Sequence, residues 1–433
     1  MNTPRIAIVG AGSRGLSYAR LAADQGARIT AVIDPDPARV RALKSALPQQ
    51  NIQELASWQD LAATGAALAD AAVIATPDQE HAEPAIGLAG AGLHLLVEKP
   101  MATTEEQARA MVDAARQNDV MLAVCHVLRY SDYSQRLFGL VDAGRIGDIV
   151  SVEHLEPIGW WHFAHSYVRG NWAKEATSSP MLMAKSSHDV DWLLRLVGRP
   201  VEDVSSYGGL YHFRPENKPA QAAERCLDCP LQNDCAYSAT RIYRGFIGDP
   251  SYERWPLAVL DPVVTAQNIE RALREGPYGK CVFLGQNDVA DHQVVNFQFA
   301  GGATASFTVT AFTDLDFRKT RVFGTTGSIE GDGRSITIHD FVTNHKEHID
   351  IEAEGTGSAA DGHGGADGSL VQTFLNALRT SDSTRLSSPE ESLASHRVVW
   401  AAEESRRSGA NIRCDTAPVS TPNSRAEEPS RLR

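Results

Sequence analysis

The sequence predicts an α/β fold, with an N-terminal doubly wound parallel sheet followed by an α+β domain whose sheet is mainly antiparallel. Three observations predict it. Short apolar runs alternate with helix-like stretches through the first 125 residues; the turn Gly10-Ala-Gly12-Ser13-Arg14-Gly15 joins the first run to the next helix; and after residue 148 the pattern changes to long two-residue alternation.

Taken in order, strands are expected at 5–9, 29–33, 71–75, 94–97 and 121–125, with helices at 16–24, 37–47, 81–89 and 104–118. Thr103 or Thr104, with Glu105 and Glu106, makes an N-terminal cap for the last helix. A helix near 133–143 leads into alternating strands such as 149–155, 293–299 and 304–310, the last two joined as a hairpin across Ala300-Gly-Gly-Ala303. Further strands are expected at 319–323 and 335–338, and closing helices at 368–379 and 389–407. The expected domains are 1–125 and 126–409, the second carrying an insertion at about 214–285, with a polar, proline-containing tail over 410–433 expected to be disordered.

The glycine turn points to a dinucleotide. Gly10 permits the tight turn, Gly12 lets a pyrophosphate approach the backbone, and Gly15 lets helix and strand pack closely, which is the Rossmann arrangement. Ser13 and Arg14 then open a helix whose N-terminus favours negative charge. Asp34, 19 residues after Gly15, is placed to accept hydrogen bonds from a ribose 2′-hydroxyl and to repel a 2′-phosphate, so NAD is expected over NADP, although Arg14 and Arg39 offer a phosphate a partner.

Size and charge bound the partners. A chain of 433 residues favours two domains, and a formal net charge of −13 supplies no basic excess for a nucleic acid or an anionic membrane. No apolar stretch reaches the length of a membrane span and no signal peptide precedes the first strand, so a cytoplasmic location without disulfides is expected. A small-molecule substrate and a homo-oligomer, dimer or tetramer, are the expected partners.

Two further stretches, Ala75-Thr76-Pro77-Asp-Gln-Glu-His81 and Val97-Glu98-Lys99-Pro100, together with the glycine turn, resemble the glucose-fructose oxidoreductase, inositol dehydrogenase and MocA-type (Gfo/Idh/MocA) oxidoreductases over nearly the whole chain, to about Gly409. The resemblance implies that Thr76, Pro77 and His81 flank the cofactor, that Glu98 touches it, and that Lys99 is catalytic. Independently, Lys99 follows a strand of the parallel sheet at its carboxyl end, where ligands bind in such folds. Sugar dehydrogenases of this kind usually carry an aspartate four residues before a histidine on a long helix. Here His188 matches the histidine, but Ala184 stands in the aspartate's place and Lys185 follows it. Lys99 and His188, with Lys185 nearby, are therefore the expected acid/base group, and a neighbouring cation would lower the pKa of Lys99.

Between residues 160 and 172 lie three of the seven tryptophans and two of the fourteen histidines. Trp161, His162, His165, Tyr167, Arg169, Asn171 and Trp172 suit a sugar-binding wall, flat rings meeting the apolar faces of the sugar and polar groups its hydroxyls, with Arg169 available to clamp an anionic group. The alternative is a hydrophobic flap; a metal site at His162 and His165 lacks a third ligand. Cys226, Cys229, Cys235 and Cys281 could hold a structural zinc that orders the insertion, with an iron–sulfur cluster or free or disulfide-bonded thiols as alternatives. Glycines around His363 could bring that residue into the cleft, and Asp367 could cap the helix that follows.

The expected activity is hydride transfer between NAD and a hydroxyl-bearing carbon of a sugar or sugar derivative. One alternative is glycoside cleavage by transient oxidation, elimination and return of the hydride; another is a nucleotide sensor without turnover.

Overall fold

The computed structural model describes residues 3–351, 365–414 and 416. Strands β1 (Arg5–Val9), β2 (Arg28–Ile33), β3 (Gln53–Glu54), β4 (Ala71–Ile74), β5 (His94–Val97) and β6 (Leu122–Val124) form a parallel sheet in the order β3-β2-β1-β4-β5-β6. Alternation along β1 builds the two faces. Ile6 and Ile8 enter one core with Tyr18 and Val40, while Ala7 and Val9 enter the other with Leu61 and Leu88. The strand order reverses between β1 and β4, which opens a crevice beyond their carboxyl ends. The sequence reading omits β3 and the helix Trp58–Thr64, although the latter begins with a capping box made by Ser57 and Asp60.

The second sheet has nine strands: β7 (Ile149–Pro157), β8 (Val201–Gly209), β9 (His292–Phe299), β10 (Thr304–Thr310), β11 (Lys319–Gly324), β12 (Gly327–Gly331), β13 (Ser335–Asp340), β14 (His345–Asp350) and β15 (Ile412–Arg413). Their order is β14-β13-β12-β11-β7-β10-β9-β8-β15, and every neighbouring pair is antiparallel except β7 with β10. The β9–β10 hairpin turns where expected, with Gly301 and Gly302 at positive φ. Helices Met181–Val197 and Pro389–Ser408 contribute Leu193, Leu194, Val398 and Val399 to the core of this domain.

Three expectations change. Helix Ala366–Thr380 lies in the second half of the chain but packs on the first domain, where Leu370, Val371, Phe374 and Leu375 join the core of Ile6, Ile8 and Tyr18. The division at residue 125 therefore separates the two sheets and not all of the chain. The expected tail also begins later: Ile412 and Arg413 pair with β8, and the Thr416 hydroxyl accepts a hydrogen bond from the Val201 amide, which gives the exposed edge of β8 a partner. The third change concerns the insertion. It carries helices Ala239–Phe246 and Ala266–Glu275 and a small core of Ile242, Tyr243, Leu257, Ile269 and Leu273, packed against Trp161.

Because Phe374 is fully buried between the two halves of the chain, Phe374→Ala is expected to cost about 3–5 kcal/mol of stability, read by chemical denaturation. An unchanged midpoint would contradict the docking of this helix on the first domain.

Candidate active site

The crevice between β1 and β4 is lined by backbone. A β-carbon on Gly10 would lie 2.6 Å from the Ala75 carbonyl oxygen, and one on Gly15 would lie 1.9 Å from that of Gly10, so both positions require glycine for packing. Gly12 differs: a β-carbon there would meet nothing within 4 Å. The open space lies at the N-terminus of helix Ser13–Asp24, where the first amides have no partner within the helix. These residues fit a dinucleotide pyrophosphate. Asp34 follows β2, its Oδ2 accepting from the Ala11 amide at 2.7 Å and its Oδ1 from the Asp36 amide at 2.8 Å.

Arg14 does not face a phosphate. Its guanidinium donates to Glu98 and to the Tyr18 hydroxyl, and at 2.6 Å to Asp367, so it ties the glycine turn to helix Ala366–Thr380. Asp367 thus serves this ion pair, and no side chain caps the helix. Glu98 also accepts from Tyr18 at 2.8 Å and from the Lys99 amide at 2.7 Å. Burial opposes its charge, but Arg14 and Lys99 outweigh burial and hold the carboxyl below its usual range.

The Thr76–His81 turn joins the two domains. Its Asp78 accepts from Ser179 at 2.9 Å and from the Trp172 indole at 3.4 Å, and Gln79 donates to the Ala176 carbonyl. Pro77 precedes the helical turn Asp78–Glu80. The Thr76 hydroxyl donates to the Glu80 carbonyl, and the His81 ring bridges the carbonyls of Thr76 and Pro100.

Lys99 leaves β5 at its carboxyl end and its ammonium donates to the Ala184 carbonyl. The helix thus contributes a main-chain acceptor at the position where the side-chain carboxylate is missing. Desolvation, opposed by Glu98 and reinforced by Lys185, lowers the Lys99 pKa to about 8. Behind it lies a charge network. Glu156 contacts Lys185 at 3.0 Å and also Arg318, and Arg318 reaches Asp189 at 2.8 Å. His188 accepts at Nε2 from Arg318 at 2.8 Å and lies 3.3 Å from Asp189. Burial is the main force holding His188 neutral, and Arg318 and Lys99 add to it.

Sequence reasoning missed Glu156, Arg318, Asp189 and Asp78. Val152, His154 and Glu156 are buried on one face of β7, and two polar residues on an inward face were a legible signal. Arg318 lies just before β11, in a stretch without periodicity.

The aromatic wall divides in two. Trp161 packs edge-on against Phe246 at 4.8 Å and Tyr252 at 5.8 Å, within the core of the insertion. His165 bonds Tyr243 and stacks on Tyr278, and burial, with Arg169, lowers its pKa to about 3. Arg169 donates to the carbonyls of Lys280 and Tyr237, both at 2.8 Å, and meets the Cys226 sulfur at 3.7 Å. It therefore staples the insertion and is not placed to clamp an anionic substrate. Tyr167 is buried and stacks on Phe163. His162 and Trp172 remain partly exposed, and Asn171 is exposed. His363 lies outside the described residues.

A zinc at Cys226, Cys229, Cys235 and Cys281 is not shown: among the described residues no group of three or more His, Cys, Asp or Glu is placed to hold a metal ion. Cys226, Cys229, Cys235 and Cys281 form no disulfide, and burial, with the nearby Cys226, raises Cys235 and Cys281 above the usual thiol range. Arg169 and the aromatic core order the insertion.

Comparison with known proteins agrees with this geometry. Residues 4–126 match the oxidoreductase family's NAD-binding Rossmann fold, and residues 139–413 match its C-terminal alpha/beta domain. The chain belongs to the Gfo/Idh/MocA oxidoreductase family. Among curated relatives, a putative oxidoreductase YteT of Bacillus subtilis (strain 168) is 23% identical over 312 residues, 70% of this chain and 69% of its own. The 2,7-anhydro-N-acetylneuraminate hydratase of Escherichia coli (strain K12) is 30% identical over 211 residues, 48% of this chain and 54% of its own. A crystal structure of an Agrobacterium radiobacter oxidoreductase with NAD+, L-tartaric acid and magnesium shares the fold, with TM-score 0.69 and 18% identity over 95% of this chain and 99% of that one. No helix among the described residues is long and apolar enough to cross a membrane.

Two substitutions test the site. Gly12→Ala is expected to fold with an unchanged melting temperature yet weaken dinucleotide binding at least about tenfold, by titration calorimetry, because the methyl group occupies space only a ligand would use. Lys185→Met removes a cation that lowers the Lys99 pKa, so the ascending limb of the pH–rate profile is expected to move to higher pH by about half a unit or more. A limb that stays in place or moves down would contradict this pairing.

Proposed function

We propose that this chain is an NAD-dependent dehydrogenase that moves a hydride between the nicotinamide and a hydroxyl-bearing carbon of a sugar or sugar derivative. The observation that carries the reading is Lys99: an amine at the carboxyl end of β5, held by the Ala184 carbonyl, with its pKa lowered to about 8. In the oxidising direction the neutral amine takes the hydroxyl proton, the oxygen's electron pair forms the carbonyl, and the hydrogen on carbon leaves with both bonding electrons. Bound NAD would supply the hydride acceptor. Since Lys99 loses its proton as pH rises through about 8, oxidation is expected to rise over the same range.

Other residues assist. His188, neutral and held by Arg318, offers a positioned hydrogen-bonding group near Lys99, and Lys185 tunes the base. Asp34 favours NAD over NADP. Of the two arginines that could meet a 2′-phosphate, Arg14 is held by Glu98 and Asp367, and Arg39 lies between Asp34 and Asp36. A levoglucosan dehydrogenase of known structure, holding NADH and L-sorbose, has TM-score 0.69 and 16% identity to this chain, and its substrate class supports a sugar here.

A second reading, redox-neutral elimination, is favoured by the hydratase relative and by the alanine at position 184. There the hydride is removed, the adjacent acidified proton leaves, a glycosidic bond breaks, and the hydride returns.

The test is a panel of free sugars and glycosides assayed for both NADH and released aglycone. Net NADH from a free sugar supports the dehydrogenase; aglycone without net NADH supports elimination. Lys99→Ala is expected to lower either activity by about 10²–10⁴-fold, and turnover at the wild-type rate would overturn the proposal.

A further inference from the structure

The insertion does more than pack. Its segment 253–257 returns to the aromatic wall, and Trp255 is extended there (φ −152°, ψ 130°) between helical turns, its ring partly buried against the core of the insertion. That ring meets His162 edge-on, with centroids 4.7 Å apart, meets His165 in the same manner at 5.3 Å, and lies 5.2 Å from Trp161. Trp161 and His165 are buried, whereas Trp255 and His162 keep part of their surface open. His162 also links the cluster to the site: its ring lies 6.4 Å from that of Tyr167, which lies 6.0 Å from Trp172, whose indole donates to Asp78. Burial holds His162 neutral, and Lys185 and Lys99 are close enough to push its pKa lower still. Its Nδ1 is buried beside the Ile158 backbone, so the ring nitrogen left to a ligand hydroxyl is Nε2.

We propose that Trp255 is the platform on which the apolar face of the substrate ring rests, with His162 meeting a hydroxyl beside it and Lys99 acting on the reacting carbinol. This assignment rests on the sugar reading given above. The residue types fit a carbohydrate: a large flat ring for the C–H face, a neutral imidazole for a hydroxyl, and an amine for the proton. The specificity of the site for the shape of the ring is then set by the insertion and not by the sheet.

The test uses the full-length protein with saturating NAD. Binding of the sugar and glycoside panel is measured by calorimetry and turnover in parallel, for wild type, Trp255→Ala and Trp255→Phe, with melting temperature and NAD affinity as controls. Trp255→Ala is expected to weaken sugar binding and raise KM about tenfold or more, with kcat reduced less and NAD affinity unchanged; Trp255→Phe, which keeps a flat ring, is expected to restore most of the loss. Wild-type sugar affinity and KM in Trp255→Ala would overturn the assignment while leaving the dehydrogenase reading in place. Sugar binding that depends on Trp255 without any turnover would support the assignment and overturn that reading. A wild-type protein that binds and turns over none of the panel would overturn both, and a Trp255→Ala variant that loses NAD affinity in proportion would overturn the assignment alone, since Trp255 would then be holding up the fold.

Discussion

Lys99 is subject to opposing forces, and most of the site is arranged around them. Glu98 beside it favours the ammonium, while burial and Lys185 favour the neutral amine, and the result is a group that titrates near pH 8. Each of these neighbours is itself fixed. Glu98 is held by Arg14 and Tyr18, Arg14 is held by Asp367, and Lys185 is held by Glu156. Helix Ala366–Thr380 is thereby drawn to the first domain by an ion pair at one end and by Phe374 along its face.

The alanine at position 184 makes sense within this arrangement. A carboxylate there would favour the charged form of Lys99, whereas the main-chain carbonyl positions the amine with much less stabilisation of its charge. The carboxylates are instead set back at Glu156 and Asp189, where Arg318 is shared between them. Buried charges arranged this way are compensated in place, so the network positions His188 and Lys185 without exposing an unpaired ion to the site.

Much of this was legible in the residues. Gly10, Gly12, Gly15 and Asp34 announce a dinucleotide crevice because close backbone approach and helix N-termini depend on local sequence. The six-stranded order and the β9–β10 hairpin follow from apolar periodicity and turn glycines. What escaped depends on contacts between distant segments. Arg169 looked like an anion clamp because its sequence neighbours are aromatic, yet its partners are the carbonyls of Tyr237 and Lys280. The four cysteines suggested a metal through spacing alone, but spacing says nothing about the aromatic core that orders the insertion. Trp255 and Arg318 lie in stretches with no periodicity, and only folding brings them to His162 and Asp189.

The account depends most on the protonation state of one amine. The direct measurement is an NMR titration of the Lys99 side chain, followed through its ε-carbon and assigned with Lys99→Arg. The account predicts a midpoint near pH 8, from burial and Lys185 together. A midpoint at or above the ordinary lysine value of about 10.4 would contradict it, because Lys99 would then be a fixed cation and could not act as a base.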